Sequence, residues 1–405
     1  VDRHDFCAET GRTVSEEQMR KEIAVMKRLN FNAVRTSHYP NSVKWYDLCD
    51  ELGIYLVDEA NLETHGYGGQ LSASAEWTAA YLERATRMVL RDKNHPSIVL
   101  WSLGNESGAG ANHAAMHGWI REYDKTRYVQ YESGNPKSNI SDVICPMYPT
   151  MSWLEDVMAD DSDLRPFIMC EYAYAKSNSN GNFKEFWDYV NKYPRFQGGF
   201  IWDYIDQSIY KKDRYGKEFQ AYGGDFDDHP CDYNFSGNGI VYGGERDASP
   251  KMQEVKFCYQ NIAVDVQKDK AVVKNKNLFV NTDAFDCVVI LEKEGKKLKE
   301  VPMEISVEPL SEKTVELPIA VQTLPGEYAV TVSFRLKEDT IWGKRGHEVA
   351  FGQGVYEVEA PAKAEKPAKF EVIRSNHDFG VRGENFDVMF SDLNGGLVSY
   401  RYGGV

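Results

Sequence analysis

The feature that most constrains the fold is the alternation of short apolar segments with amphipathic helical segments over roughly the first 260 residues. Apolar runs bounded by polar residues are typical of strands buried on both faces, as in a parallel sheet covered by helices. Eight such strands are predicted, at 1–6, 31–37, 54–61, 98–103, 128–132, 143–148, 167–173 and 196–206. This repetition predicts a (β/α)₈ TIM barrel. A doubly wound open sheet is the alternative, but no Gly-rich phosphate-binding loop follows any of these strands.

Two helices between these strands have clear end signals. Ser15 and Gln18 form a capping box, and the apolar residues after them recur at helical spacing. A second helix is predicted to open at Pro40-Asn41 and to end at Gly53, because glycine accepts the left-handed conformation that commonly closes a helix. Both helices lie where the barrel pattern requires them.

The pattern changes after about residue 260, where segments 272–280, 285–291 and 328–336 alternate apolar and polar residues. We therefore predict a barrel domain over 1–260 and an immunoglobulin-like antiparallel β-sandwich over 261–360. Residues 361–405 are predicted to be a linker followed by the start of a larger C-terminal β-sandwich. The Pro- and Ala-rich stretch at 360–367 is typical of a linker, and Asn394-Gly395-Gly396 predicts a hairpin turn.

Composition excludes several classes of partner. The net charge of −15 would repel nucleic acid and anionic membranes. No run of about 18 apolar residues is present, so no membrane span is predicted. The seven cysteines show no metal-binding or paired spacing, and reduced thiols are expected. The chain begins at Val1 rather than at a methionine, and we expect it to be part of a longer protein.

The predicted strands at 98–103 and 167–173 each have a glutamate at or just after the carboxyl end. Glu106 follows the fourth strand, and Glu171 lies at the end of the seventh. Barrel enzymes place their chemistry at the carboxyl ends of strands, so these acids are expected to share one cavity. Such a pair can hydrolyse a glycosidic bond, with retention when the carboxyls lie about 5–5.5 Å apart. Two unrelated loop glutamates are the alternative, but the preceding Asn105, whose amide could hold a sugar hydroxyl, favours the catalytic pair.

Other polar and aromatic residues at strand ends are candidates for the same cavity. Glu63 and His65 follow the third strand and could bind Mg²⁺, although a Glu-x-His pair alone is a weak signal. Trp202 near the end of the eighth strand is either a sugar platform or a core residue, and composition favours the core. Three residues at the ends of the first two strands either bind substrate or fix loops: His4, Arg35 and His38.

Six motifs give the chain a resemblance to a known family. They are Arg-Thr-Ser-His-Tyr-Pro at 35–40, Asp-Glu-Ala-Asn-Leu-Glu-Thr-His-Gly at 58–66, Ser-Leu-Gly-Asn-Glu-Ser-Gly at 102–108, Cys-Pro-Met-Tyr at 145–148, Cys-Glu-Tyr-Ala at 170–173 and Gln-Gly-Gly-Phe-Ile-Trp-Asp at 197–203. In this order they resemble the long bacterial β-galactosidases of glycoside hydrolase family 2. The resemblance spans about residues 1–260 and continues more weakly through the sandwich into the final segment.

The resemblance implies a retaining hydrolase that removes terminal non-reducing β-D-galactose through a covalent galactosyl-enzyme. Glu106 would be the acid/base and Glu171 the nucleophile. Glu63, His65 and Glu106 would bind an active-site Mg²⁺, while the Phe235 carbonyl and the Asn238 side chain resemble ligands of a Na⁺ ion. The sugar site would be lined by His4, Arg35, His38, Asn105, Tyr148 and Trp202. A homo-oligomeric full-length protein is also implied.

The chain departs from the family pattern in two respects. Tyr174 stands where the family commonly has a sugar-contacting histidine, so selectivity among galactosides is expected to differ. The family's amino-terminal domains, an acidic residue of the Na⁺ site and most of the first barrel strand are not in this sequence. The fragment itself is therefore expected to be weakly active or inactive. The alternatives are β-glucuronidase or β-mannosidase activity, or a non-catalytic sugar-binding module, against which both glutamates argue.

Overall fold

The computed structural model describes residues 1–177, 179–360 and 369–404. Six barrel strands are regular, namely β1 (Ala33–Arg35), β2 (Tyr55–Glu59), β3 (Ile98–Ser102), β4 (Tyr128–Gln130), β5 (Phe167–Tyr172) and β6 (Phe196–Ile201). Strands β1 to β4 form one parallel sheet, and β5 pairs in parallel with β6. Two short segments complete the ring. Ile144 and Met147 pair with β5, and Asp2 joins Arg35 of β1 while its N–H donates to the carbonyl of Ile201 at 3.0 Å.

The ring has eight strand positions, which confirms the predicted barrel. Eight helices accompany it in the described residues: α1 (Glu16–Arg28), α2 (Val43–Leu52), α3 (Gln70–Ala73), α4 (Thr78–Asp92), α5 (Ala111–Tyr123), α6 (Met151–Ala159), α7 (Phe183–Lys192) and α8 (Met252–Cys258). The Ser15 hydroxyl accepts from the Gln18 N–H at 3.2 Å and Gly53 closes α2 with φ +75°, as predicted. The predicted opening of α2 at Pro40-Asn41 is wrong, because the helix begins at Val43. Helix α6, which the sequence pattern did not reveal, begins at a cap formed by Thr150.

Two apolar clusters stabilise the barrel. The larger one lies between strands and helices and includes the fully buried rings of Trp45 and Trp101. The smaller one consists mainly of strand residues, as expected for side chains that fill the inside of a barrel: Val57, Leu100, Val143, Cys145, Cys170 and Phe200. The barrel is thus filled below the carboxyl ends of its strands. A hairpin of β7 (Ile209–Lys212) and β8 (Glu218–Ala221) follows the eighth strand.

The next domain is an antiparallel sandwich, as predicted. One sheet has the order β13-β10-β9 and the other β12-β11-β14-β15. Their bounds are β9 (Ile262–Val266), β10 (Lys270–Asn275), β11 (Phe285–Lys293), β12 (Lys296–Met303), β13 (Ser311–Glu316), β14 (Gly326–Leu336) and β15 (Glu348–Val358). Hydrogen bonds join the sandwich to the barrel. Lys256 Nζ donates to the Glu348 carbonyl at 2.7 Å. The Gln260 side chain donates to the Phe351 carbonyl and accepts from the Phe351 N–H, both at 2.9 Å.

The last described residues form a four-stranded antiparallel sheet of β16 (Glu371–Arg374), β17 (Asp378–Arg382), β18 (Phe386–Ser391) and β19 (Gly396–Tyr402). The predicted hairpin at Asn394-Gly395-Gly396 connects β18 to β19, with Gly395 at φ +64°. Most of the predicted linker, residues 361–368, lies outside the described residues. All seven cysteines are free thiols, and none of the described helices is long and apolar enough to cross a membrane.

Candidate active site

The loop after the fourth barrel strand makes a sharp turn that ends at Glu106. Gly104 has φ +128°, and a Cβ there would lie 2.4 Å from the carbonyl oxygen of Leu62, so only glycine fits. The Asn105 N–H then donates to the same Leu62 carbonyl at 2.8 Å. Glu106 itself has φ +38°, which is uncommon for a residue with a side chain. This backbone places an amide and a carboxyl side by side at the mouth of the barrel.

Glu171, at the end of the seventh strand, is held by a donor on each carboxylate oxygen. Arg35 Nη1 donates to Oε1 at 3.1 Å, and the Tyr148 hydroxyl donates to Oε2 at 2.6 Å. The side chain is only 6% exposed, and His38 Nε2 lies 3.8 Å from Oε1. Burial raises the pKa of Glu171, while Arg35, His38 and the Tyr148 hydroxyl oppose that rise. The two donors therefore fix the carboxyl in one orientation, although burial prevails and the pKa of Glu171 lies above its usual value.

Arg35 is the centre of this network. Its guanidinium is fully buried and donates to Glu59 at 2.6 and 3.0 Å and to Asp2 at 3.0 Å. Burial disfavours the charged form of Glu59, but Arg35 and His38 together hold the pKa of Glu59 below its usual value. The sequence analysis did not single out Asp2 or Glu59. Glu59 could have been found, because it lies near the carboxyl end of a predicted strand, as Glu171 does.

The same guanidinium connects the two predicted catalytic acids. Arg35 Nη2 donates to Asn105 Oδ1 at 2.8 Å, and Asn105 Nδ2 lies 3.3 Å from Glu106 Oε2 and 3.0 Å from Glu63 Oε1. Glu106 and Glu171 are thus linked through one arginine and one amide. The carboxyl separation of about 5–5.5 Å remains a prediction.

Aromatic rings form a wall beside Glu171. Trp202 stacks on His38 with ring centroids 5.0 Å apart and an angle of 6°, and it is partly exposed rather than fully in the core. His4 meets both rings edge-on, at 5.8 Å from His38 and 5.5 Å from Trp202. Burial lowers the pKa of His4 to about 3, helped by nearby His38 and Arg12, so the imidazole is neutral near pH 7. Such a wall offers ring faces and neutral nitrogen atoms to a polar ligand.

Tyr174 lies on the other side of Tyr148. The two rings meet edge-on at 5.9 Å, and the ring of Phe235 lies 6.2 Å from Tyr174. Asn238 is buried, and its side-chain amide lies 3.5 Å from the Tyr174 hydroxyl. The structure therefore groups the two predicted Na⁺ ligands with the residue that departs from the family pattern.

The predicted Mg²⁺ ligands are only partly brought together. Glu63 and Glu106 share the Asn105 amide, as described above. His65 is exposed at the start of a short 3₁₀ helix, His65–Tyr67. Across the described residues no set of three His, Cys, Asp or Glu side chains is close enough to hold a metal ion. The two carboxylates are suitable ligands for a hard cation, but His65 is not close enough to be the third. The Mg²⁺ site therefore remains a prediction.

Behind the Glu106 loop lies a buried histidine. His113 stacks on Tyr131 at 4.0 Å, and within the described structure neither of its ring nitrogens has a hydrogen-bond partner. Burial lowers the pKa of His113 from 6.5 to about 4, because the charged imidazole would lose its hydration there.

This histidine should make stability depend on pH. The unfolded chain binds the proton at higher pH than the folded chain does, so folding stability falls as pH drops from about 6.5 to 4. Between pH 7 and pH 5, the thermal unfolding midpoint of the full-length wild-type protein should fall. The midpoint of the His113→Phe variant should fall by about 2–4 °C less. Parallel midpoints for the two proteins across that range would contradict this assignment. The exposed His377 provides a control as His377→Phe, with no such effect expected.

Comparison with known proteins identifies the family. Residues 1–264, more than half of the chain, match the family model described as the TIM barrel domain of glycosyl hydrolases family 2. The chain belongs to glycoside hydrolase family 2. Residues 271–356 match a second model, described as domain 4 of beta-galactosidase, so the sandwich of this family 2 chain is also recognised.

Curated relatives in the family are considerably longer than this chain. A beta-galactosidase of Clostridium acetobutylicum is 44% identical over 415 residues, which cover 99% of this chain and 46% of that protein. One from Halalkalibacterium halodurans is also 44% identical, covering 100% of this chain and 41% of that protein. The chain therefore spans less than half the length of these family 2 relatives.

Solved structures of other proteins share the fold. A β-glucuronidase from Parabacteroides merdae superposes with a TM-score of 0.51 at 17% identity, covering 98% of this chain and 52% of that one. At this identity the likeness shows the fold alone. It supports the arrangement of a family 2 barrel followed by β-sandwich domains.

Proposed function

We propose that the full-length protein is a retaining β-galactosidase in which Glu171 is the nucleophile and Glu106 the acid/base. The observation that carries this proposal is the network in which Arg35 and Asn105 connect the two glutamates. The 44% identity to curated beta-galactosidases supports galactose as the sugar. The barrel mouth, with its partly exposed rings, supports a carbohydrate as the ligand.

In the first step, a Glu171 oxygen attacks the anomeric carbon as the bond to the leaving oxygen breaks. Glu106 transfers its proton to that leaving oxygen. In the second step, the Glu106 carboxylate takes a proton from water, whose oxygen attacks the anomeric carbon and releases Glu171. Arg35 and the Tyr148 hydroxyl hold Glu171 in place during both steps and stabilise its charge once it is released.

The sugar specificity is tested with a panel of nitrophenyl glycosides and the full-length protein. We expect kcat/KM for the β-galactoside to exceed that for the β-glucuronide and β-mannoside by at least about 100-fold, since a site built for one set of hydroxyls rejects another. Faster cleavage of the glucuronide or mannoside would keep the mechanism and remove the sugar assignment. Galactose binding without any hydrolysis would favour a non-catalytic module. The same assay on residues 1–405 tests whether the fragment is weakly active.

The proposal includes Mg²⁺ held through Glu63 and Glu106, with His65 as a further ligand. Bound there, the ion would supply positive charge beside Glu106. Removing divalent ions with a chelator should lower kcat/KM of the full-length protein about 10-fold, and Mg²⁺ should restore it. The chelator should lower kcat/KM of the Glu63→Gln variant much less. The exposed control Glu51→Gln should lose as much kcat/KM as wild type does. Equal rates with and without the chelator would contradict the metal.

Two further parts of the proposal rest on the family resemblance. A Na⁺ ion at the Phe235 carbonyl and Asn238 is one, and dependence of KM on the Na⁺ concentration tests it. Assembly of the full-length protein into a homo-oligomer is the other, and sedimentation velocity tests that.

A further inference from the structure

One contact to Glu106 is not explained by the mechanism. The backbone N–H of Glu106 donates to Oε1 of Glu132 at 2.6 Å. Glu132 follows β4, the fifth strand of the barrel, so it reaches the turn from the neighbouring strand. It touches the main chain of Glu106 rather than its carboxyl.

The turn that Glu132 contacts has an unfavourable backbone. At φ +38°, Glu106 lies in the left-handed region, which costs a residue with a side chain about 1 kcal/mol or more. Such a conformation persists only where surrounding contacts impose it. The hydrogen bond that the Glu106 peptide N–H donates to the Glu132 carboxyl is one such contact.

The neighbouring peptide is held in the same way. The Ser107 N–H donates to the Tyr131 hydroxyl at 3.1 Å, and that hydroxyl donates to the Gly108 carbonyl at 2.6 Å. Two consecutive residues after the fifth strand, Tyr131 and Glu132, thus bind two consecutive peptides after the fourth. The residues that follow the fifth strand therefore fix the backbone of the turn that follows the fourth strand.

Burial raises the pKa of Glu132 to about 7, while the Ser133 side chain and the Glu106 N–H oppose that rise. In the described parts of the chain, no lysine, arginine or histidine side chain lies within 4 Å of its carboxyl. An acid that served only to stabilise the fold would more often be paired with a cation when it lies this close to the protein interior. The placement therefore suggests a role directed at the Glu106 turn.

We propose that Glu132 is a positioning residue for the acid/base, holding the Glu106 peptide so that the Glu106 carboxyl faces the leaving oxygen. This inference rests on the proposed function, in which Glu106 is the proton donor. Misplacing a catalytic group by about 1 Å can cost on the order of 100-fold in rate. Loss of this contact should therefore affect the proton-transfer step and leave the nucleophile untouched.

The leaving group separates this role from a merely structural one. A dinitrophenolate leaves without needing a proton, whereas the sugar alkoxide of lactose does need one. Because kcat/KM reports the first step alone, Glu132→Leu in the full-length protein should lower it at least about 30-fold for lactose and less than about 3-fold for dinitrophenyl β-galactoside. Glu132→Gln keeps an acceptor oxygen at the same reach and should stay within about 3-fold of wild type on both substrates.

The remaining variants keep the test decisive. Glu132→Asp withdraws the carboxyl by one methylene and should show the same lactose-selective loss, so it replaces the leucine variant if that protein does not fold. Glu122→Leu on α5, an exposed position, is the matched control and should match wild type. Equal losses on both substrates, or none, would overturn the positioning role. Failure of wild type to cleave either galactoside would instead overturn the proposed function.

Discussion

Replacing Glu171 with glutamine should lower kcat of the full-length protein on nitrophenyl β-galactoside by three or more orders of magnitude. The amide has the shape of the carboxyl but is a poor nucleophile, and it cannot form the ester to the sugar. Arg35 can still donate to the amide oxygen and the Tyr148 hydroxyl can accept from the amide NH2 group, so the variant should fold normally. Steady-state hydrolysis and a thermal melt, measured on the same preparation, test both expectations.

The matched control for this variant is Glu185→Gln, an exposed glutamate on α7. It carries the same chemical change at a distance from the network and should have the rate of wild type. A Glu171→Gln protein that is folded and retains more than about a tenth of the wild-type kcat would show that the nucleophile is another group.

Replacing Glu106 with glutamine should have an equally large effect, but one that depends on the substrate. Without the proton donor, kcat/KM for lactose should fall by about three orders of magnitude, because its leaving oxygen cannot depart as an alkoxide. For dinitrophenyl β-galactoside the first step needs no acid, so kcat/KM should change little. Both kcat and KM should fall, since the galactosyl-enzyme accumulates when no base activates water.

The diagnostic measurement for Glu106→Gln is rescue by azide. Azide attacks the anomeric carbon without a general base, so it should restore turnover of the dinitrophenyl substrate and yield β-galactosyl azide. A rate that is unchanged by the mutation on both substrates would mean that Glu106 is not the acid/base. The α-anomer as product would contradict a double displacement.

Much of the architecture is visible in the sequence because local patterns specify it. Ser15 marks the start of the first helix and Gly53 the end of the second, and the apolar runs ending near Glu106 and Glu171 identify two barrel strands. Once the strands are counted, the barrel itself predicts that these two acids face one mouth. Alternating residues after 260 likewise predict the sandwich.

Contacts between distant residues could not be predicted in this way. Asp2 and Glu59 reach Arg35 only when their strands pair with the strand of Arg35, one on each side of it. Glu132 contacts the Glu106 peptide through the register between two strands, which no local pattern specifies. The sixth strand was predicted at 143–148 but is reduced to single bridges at Ile144 and Met147.

The central claim, that Glu171 forms the covalent intermediate of a galactosidase, is tested most directly by trapping that intermediate. A 2-deoxy-2-fluoro-β-galactoside with a dinitrophenyl leaving group reacts in the first step, while the fluorine destabilises the cation-like transition state of the second. Mass spectrometry of the full-length protein should show one added fluorogalactosyl group, on the peptide that contains Glu171, and none in Glu171→Gln. A label on a different residue, or cleavage of galactosides with no label formed, would contradict the account.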